Sequence, residues 1–161
     1  KKLHSLSEHE ESDVKYFAGH ATYNLKWSDP LSRKKGDRVV LDLGTVKNLA
    51  SVTVNGCEYP VMWRVPFRVD VTDSWKENNE ISIRVTTLWP NRLIGDELLP
   101  LDSKWHGNDL AEIPDWVRKG LKSPTGRHTF TTHYHWRKRD NNKLLPSGLI
   151  GPVRRIVFSS P

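Results

Sequence analysis

The sequence predicts an all-β domain built as a β-sandwich or jelly roll. Apolar and polar residues alternate in seven or more short segments, turn-forming Gly, Pro and Asn residues separate those segments, and helical periodicity is scarce. Alternation buries one face of a strand and leaves the other in water, which is typical of antiparallel sheets. At 161 residues the chain suits one domain with a substantial core.

Each predicted strand follows from this alternation. In the first strand every second residue from Ala21 to Trp27 is apolar. Directly after the third strand, Asn55-Gly56 is a typical two-residue hairpin turn. In chain order the predicted strands cover residues 21–27, 39–43, 50–54, 67–71, 81–85, 130–136 and 153–158.

A long connection over residues 88–124 lacks alternation and contains three Trp with several Pro and Gly residues. A connection of this length is usually functional or packs as a unit of its own. One short helix is predicted over 113–119, with Pro114 in its first turn and Gly120 as its stop. Residues 1–13 are polar and are predicted to be a tail or interdomain segment, which leaves 14–161 as the sandwich domain.

The formal net charge of +6 is carried partly by Arg33-Lys34-Lys35 and Arg137-Lys138-Arg139. Such clusters bind phosphate backbones, but both lie in turn-like segments where solvated charge is ordinary. No helix-turn-helix, zinc-finger or RNP-like pattern accompanies them, so nucleic acid is not an expected partner and a basic polyanion-binding module stays an alternative. No apolar run approaches the roughly 20 residues of a membrane span, so no membrane partner is expected.

Hydrolysis of a glycosidic bond requires two carboxylates about 5 Å or about 6.5–9.5 Å apart. None of the carboxylates has a spacing that fixes such a pair, so no catalytic residue is assigned; a small stand-alone sandwich glycosidase remains an alternative. His128, His133 and His135 lack the neighbours that would complete a metal site, so no metal ligand is assigned. The carboxylates weighed are Asp42, Asp70, Asp96, Glu97, Glu112 and Asp115.

Seven Trp residues favour carbohydrate binding, because aromatic faces stack on sugar rings while polar side chains bind the hydroxyls. The densest group is Trp89-Pro90-Asn91-Arg92 with Asp96 close behind. The alternative is structural: Trp is a large core residue, and Arg92 with Asp96 suits an ion pair that holds the long connection. The candidate carbohydrate-binding residues are Trp63, Trp89, Asn91, Arg92, Asp96, His133 and Trp136.

Several segments resemble known glycoside hydrolases. The strands of the sugar-binding β-sandwich of family 2 enzymes are resembled by residues 16–23, 41–44, 50–56, 66–73, 79–81 and 83–85. A narrower resemblance, to the C-terminal β-sandwich of family 106 α-L-rhamnosidases and related large bacterial hydrolases, covers residues 88–96, 130–132 and 145–153.

The resemblance implies a galactose-binding-like jelly roll attached to a separate catalytic barrel in a secreted or periplasmic bacterial enzyme. The chain is then expected to be a non-catalytic accessory module, either carbohydrate-binding or architectural, whose partners are a carbohydrate ligand and the catalytic domain of the parent enzyme. No cofactor is expected. The resemblance also suggests a structural calcium, although no Asp/Asn-rich loop identifies its ligands.

Overall fold

The computed structural model describes residues 2–30, 34, 36–130 and 144–159. The chain divides into two compact units. Unit 1 comprises Lys1–Ser5, Gly19–Leu88 and Pro146–Pro161, and unit 2 comprises Leu6–Ala18 and Trp89–Leu145. The predicted division at residues 13 and 14 stays a prediction.

Short strands dominate the described residues. A single 3-10 turn covers Leu6–Glu8. The helices are α1 (Ser12–Lys15), α2 (Pro90–Asp96) and α3 (Asp115–Arg118). The strands are β1 (His20–Ser28), β2 (Arg38–Asp42), β3 (Thr45–Lys47), β4 (Leu49–Val54), β5 (Cys57–Glu58), β6 (Arg68–Asp70), β7 (Asn78–Thr86), β8 (Trp105–His106), β9 (Asp109–Leu110), β10 (Gly148–Gly151) and β11 (Arg154–Phe158).

Unit 1 is made of antiparallel sheets. One sheet has the strand order β1-β7-β4-β5, a second has the order β11-β2-β6, and β3 pairs with β10. The register of the first sheet places Ile83 of β7 between Tyr23 of β1 and Val52 of β4. The prediction of an all-β, sandwich-like fold is therefore confirmed.

The core of unit 1 follows the predicted alternation. In β4 and β7 alternate residues are buried, as the period of two requires. Residues of β2, β3 and β10 complete the same apolar cluster, whose removal from water is the main stabilising term of the fold. The buried members are Val39, Leu41, Leu43, Val46, Ala50, Val52, Val54, Phe67, Val71, Trp75, Ile81, Ile83, Val85 and Leu149.

The predicted hairpin joins β4 to β5, with Val54 opposite Cys57. Asn55 and Gly56 both have positive φ, 51° and 83°, as a tight two-residue turn requires. The predicted strand over 67–71 is shorter, because only Arg68–Asp70 pair with β2. The strand predicted over 130–136 lies outside the described residues from position 131 onwards.

Unit 2 has the remaining elements. The predicted short helix is present as α3, preceded by Pro114 and followed by Gly120 in the left-handed region at φ 62°. Helices α1 and α2 were not predicted: α1 lies across the end of the predicted tail, and α2 lies in the long connection. The connection also contains the hairpin of β8 and β9, so it has regular structure of its own.

Candidate functional site

Helix α2 carries the Trp-Pro-Asn-Arg segment. Pro90 suits its first position, because its ring fixes a helical φ and its missing N–H would have no partner there. Arg92 and Asp96 are four residues apart and therefore share one face of the helix. Asn91 is 3% exposed and Asp96 is fully buried, so two of the candidate sugar-binding residues are internal.

Asp96 holds a distant stretch of backbone. Its Oδ2 accepts hydrogen bonds from the backbone N–H groups of His128 and Thr129, each at 2.9 Å. Its Oδ1 lies 3.1 Å from Nε of Arg92 in an ion pair without a directed hydrogen bond. A buried carboxylate needs such partners, since an uncompensated charge in the interior is unstable. The ion pair considered for Arg92 and Asp96 is thus present.

Asn91 binds the backbone of another distant residue, Leu145. Its Oδ1 accepts a hydrogen bond from the backbone N–H of Leu145 at 2.8 Å, and its Nδ2 donates to the carbonyl of the same residue at 2.7 Å. This two-bond fork fixes residue 145 against α2. Sequence spacing gives no signal for a pairing across 54 positions.

The two described candidate Trp residues, Trp89 and Trp63, lie in different units. Trp89 directly precedes α2 and is 55% exposed. Trp63 is 69% exposed and belongs to unit 1, where the guanidinium of Arg64 lies 5.5 Å from its ring centroid. His133 and Trp136 lie outside the described residues. Trp89, Asn91, Arg92 and Asp96 thus share one segment, and their contact with sugar stays a prediction.

Two of the candidate carboxylates in unit 1 are paired with arginines. The hydrogen bond from the Thr72 hydroxyl is the main cause that lowers the pKa of Asp70 to about 2, and Arg38 at 2.8 Å adds to it. Partial burial raises the pKa of Asp42, but the Gly44 N–H and the Arg68 guanidinium outweigh it and leave the pKa below its ordinary value. Both groups are therefore charged at neutral pH.

The carboxylates of α3 and the segment before it are also in ion pairs. A hydrogen bond from Lys104 lowers the pKa of Glu112, with 2.9 Å between the charged atoms. Asp115 lies 3.4 Å from Arg118 and 3.6 Å from Lys119. A general acid for glycoside hydrolysis requires a raised pKa. Among the described carboxylates whose pKa is shifted, Asp42, Asp70 and Glu112, the pKa is lowered in every case.

Unit 2 contains a cavity of about 530 Å³ near α3, in the usual size range of ligand sites. Trp116 and Asp102 contribute to its lining. Asp102 accepts hydrogen bonds from the hydroxyls of Ser123 and Thr125, which ties together two parts of the unit. Sequence reasoning did not single out this cluster, because its members lie 21 and 23 positions apart without a motif.

Neither a metal centre nor a membrane-spanning helix is found in the part of the chain that the structure describes. There, no three His, Cys, Asp or Glu side chains are grouped so that they could hold a metal ion. Those residues therefore identify no ligand set for the calcium that the resemblance suggests. None of the helices in the same ranges has the length and apolar character needed to cross a bilayer.

Known proteins match the chain over nearly its whole length. No protein-family model matches it. It is 43% identical over 155 residues to a candidate beta-glucuronidase of Formosa agariphila, covering 95% of this chain and 13% of that protein. The rhamnosidase structure from Novosphingobium sp. PP1Y matches 97% of this chain and 12% of its own, with 31% identity and a TM-score of 0.66. The chain is thus related, almost end to end, to one segment of large glycoside hydrolases.

Proposed function

We propose that the chain is a non-catalytic accessory module of a secreted or periplasmic bacterial glycoside hydrolase of the α-L-rhamnosidase type. The observation that carries this proposal is the match of 97% of the chain to a segment that makes up 12% of a rhamnosidase. Most of the length of such a relative lies outside the matched segment, and we assign the catalytic carboxylates to that remainder.

The electrostatics of the described carboxylates support a non-catalytic role. Asp42 and Asp70 each bind an arginine, and the lowered pKa of each favours the charged form. A glycosidase needs one carboxyl group that stays protonated near neutral pH and a second, charged one at a defined distance. Asp96 is enclosed by protein and held by backbone donors, which suits a structural anchor better than a reacting group.

Within the module, we assign an architectural role to α2. Asn91 and Asp96 direct their polar atoms at the backbone of residues 128, 129 and 145, so these groups stabilise unit 2. A carbohydrate-binding role is the second candidate. The observation that favours it is the exposed ring of Trp89 beside this rigid framework.

Activity measurements test the non-catalytic role. The 161-residue chain and the complete polypeptide encoded by its gene are each assayed with an aryl α-L-rhamnoside and an aryl β-glucuronide. We expect turnover from the longer polypeptide and none from the chain. Turnover by the chain that Asp96→Asn or Glu97→Gln abolishes without unfolding it, while Asp115→Asn does not, would support the stand-alone glycosidase instead.

Calorimetry distinguishes the two accessory roles. The chain is titrated with L-rhamnose, galactose and pectic oligosaccharides, and the same titration is repeated with Trp89→Ala and with Phe158→Ala, an exposed aromatic residue outside the candidate set, as its control. Heat that only Trp89→Ala removes indicates a sugar platform at α2, and absence of heat with every sugar leaves the architectural role. Steeply salt-dependent binding to a polyanion would favour the basic interaction module.

A further inference from the structure

The segment between β5 and β6 presents a row of apolar side chains to solvent. Val61, Trp63 and Val65 are 59%, 69% and 77% exposed. These are the three highest exposures among the large apolar side chains of the described residues of unit 1, where the next highest is 50%. Isolated exposed apolar residues are ordinary, but clustered ones mark interaction surfaces.

The sheet beneath holds the first part of this segment, around Met62. Met62 donates its N–H to the carbonyl of Ala50 at 2.7 Å, and its own carbonyl accepts the N–H of Ala50 at 2.9 Å. Met62 packs against the core, and neighbouring residues of an extended segment point to opposite sides. Val61 and Trp63 therefore face away from the core because a paired backbone orients them.

The chemistry of the row fits a protein surface better than a sugar. Between Val61 and Val65 the only polar side chain is Arg64, whose guanidinium carbon lies 5.5 Å from the centroid of the Trp63 ring. Sugar sites need several polar groups around an aromatic ring, whereas Trp, Met and Arg are the residues enriched where proteins meet. A guanidinium over an aromatic ring keeps N–H donors free for a carboxylate on the opposing surface.

We infer that Val61, Trp63 and Val65 form the docking surface for a neighbouring domain of the same polypeptide. That domain presents an apolar face with an acidic side chain opposite Arg64. The inference rests on the proposed function, and the length of the relatives supports it: this chain matches only 13% and 12% of them, so most of each lies outside the matched segment and is long enough to form such a domain.

Oxidative footprinting with N-bromosuccinimide, read by mass spectrometry, tests the inference on the 161-residue chain and on the complete polypeptide. We expect Trp63 to react severalfold more slowly in the complete polypeptide. Trp75, which is 6% exposed, is the internal reference and reacts slowly in both. Equal reactivity of Trp63 in the two proteins overturns the inference.

Charge reversal provides a second measurement. In the complete polypeptide Arg64→Glu is expected to raise the reactivity of Trp63 by more than it does in the 161-residue chain, because only there does it place two carboxylates opposite one another; a rise common to both proteins reports only the loss of the guanidinium over the ring. Arg84→Glu makes the same charge change at an exposed position of β7 and is expected to leave the reactivity unchanged. An unchanged reactivity in both variants counts against the docking surface.

Other occupants give different results. Protection of Trp63 in the isolated chain by added sugar, or by raising the chain concentration, indicates a sugar platform or a second copy and overturns the inference. A reading frame that encodes no further domain removes both the proposed function and the inference. An active multidomain glycosidase whose Trp63 stays fully reactive contradicts the inference alone.

Discussion

Asp96 and Asp70 have the same side chain, but one is buried and the other is exposed to solvent. Asp96 is fully buried and holds two backbone N–H groups and Arg92. Asp70 is 43% exposed along its side chain and binds Thr72 and Arg38 at the surface. Burial decides how much each carboxylate is expected to contribute to the free energy of unfolding, because water screens the exposed charge and not the enclosed one.

Replacing Asp96 by Asn tests the buried anchor. The change leaves Arg92 without its anion and removes one acceptor oxygen, so we expect the free energy of unfolding to fall by about 2–4 kcal/mol. Urea denaturation measures this loss. Asp115→Asn is the matched control, since Asp115 is 73% exposed and its loss is expected to change stability by less than about 0.5 kcal/mol. Equal midpoints for the two variants would contradict the role of Asp96.

The low pKa of Asp70 depends first on Thr72. Thr72→Val removes the hydroxyl donor, so the pKa of Asp70 is expected to rise from about 2 towards its ordinary value of 3.8, whereas Thr72→Ser keeps it low. A carboxyl-carbon NMR titration measures the pKa in each variant. An equal pKa in the Val and Ser variants would show that Thr72 is not the cause.

The lowered pKa of Asp70 makes the free energy of unfolding depend on pH. Because the folded pKa is depressed, the stabilisation from Asp70 is fully present above about pH 4 and is lost as the pH falls through about 2. Solvent screening limits the contribution to below about 1 kcal/mol, given the exposure of the side chain. Thr72→Val is expected to flatten this acid limb in urea denaturation measured from pH 2 to pH 5.

At the scale of elements, two glycines with similar backbone angles have different surroundings. Gly44 lies between β2 and β3 with φ 65°, and a Cβ there would lie 2.5 Å from the carbonyl carbon of Gly151. Gly56 lies in the β4–β5 hairpin with φ 83°, and a Cβ there would meet nothing within 4 Å. A residue with a Cβ would thus have a strained backbone at both positions. Only at Gly44 would its Cβ also collide with the backbone of Gly151.

Alanine substitutions separate the two effects. Gly56→Ala is expected to lower the free energy of unfolding by about 1–2 kcal/mol, the usual cost of a left-handed residue with a Cβ. Gly44→Ala is expected to lower it by roughly a further 1–3 kcal/mol, because the backbone of β10 must move to admit the methyl group. Urea midpoints of both variants measure the difference. Equal losses would mean that β10 moves freely.

The sequence predicts the strands better than the helices. Strands β1, β4 and β7 follow directly from alternation, and the Asn55-Gly56 turn follows from the preference of these residues for positive φ. Helix α2 was missed because it has seven residues, no side-chain cap and an internal Gly95. Pro90 at its first position was the one local signal.

The contacts of Asp96 and Asn91 show a second limit on what the sequence can predict. The spacing of Arg92 and Asp96 was enough to suggest their ion pair, because it is local. The partners at 128, 129 and 145 lie 32 to 54 positions away and depend on how unit 2 folds back on itself. Periodicity carries no information at that range.

At the scale of the whole molecule, unit 1 is assembled from both ends of the chain. Leu3 packs against its core, the Ser5 hydroxyl accepts the N–H of Ser147 at 2.9 Å, and β10 pairs with β3. Leu3 and Ser5 lie within the segment predicted as a tail or interdomain segment, and both are packed into this unit. Unit 2 consists of the two stretches that interrupt unit 1 along the sequence.

Removing residues 1–5 tests this contribution. The deletion removes the packing of Leu3 and the hydrogen bonds of Ser5, so we expect the free energy of unfolding to fall by about 2 kcal/mol. A chain that starts at Leu3 is the control and is expected to keep its full stability. Urea denaturation of both, with amide exchange at Ser147, measures the effect. Unchanged exchange at Ser147 would argue against the contact.

The split assembly of unit 1 has a consequence for its synthesis on the ribosome. All strands of the β1-β7-β4-β5 sheet leave the ribosome early, but β2 must wait for β11, roughly a hundred residues later. At roughly 5–20 residues per second, that wait lasts on the order of 5–20 s. During this time β3 and the edge of β2 that faces away from β6 lack their partners, so a nascent chain stalled before residue 146 should be cleaved by protease at these strands while β4 and β7 resist.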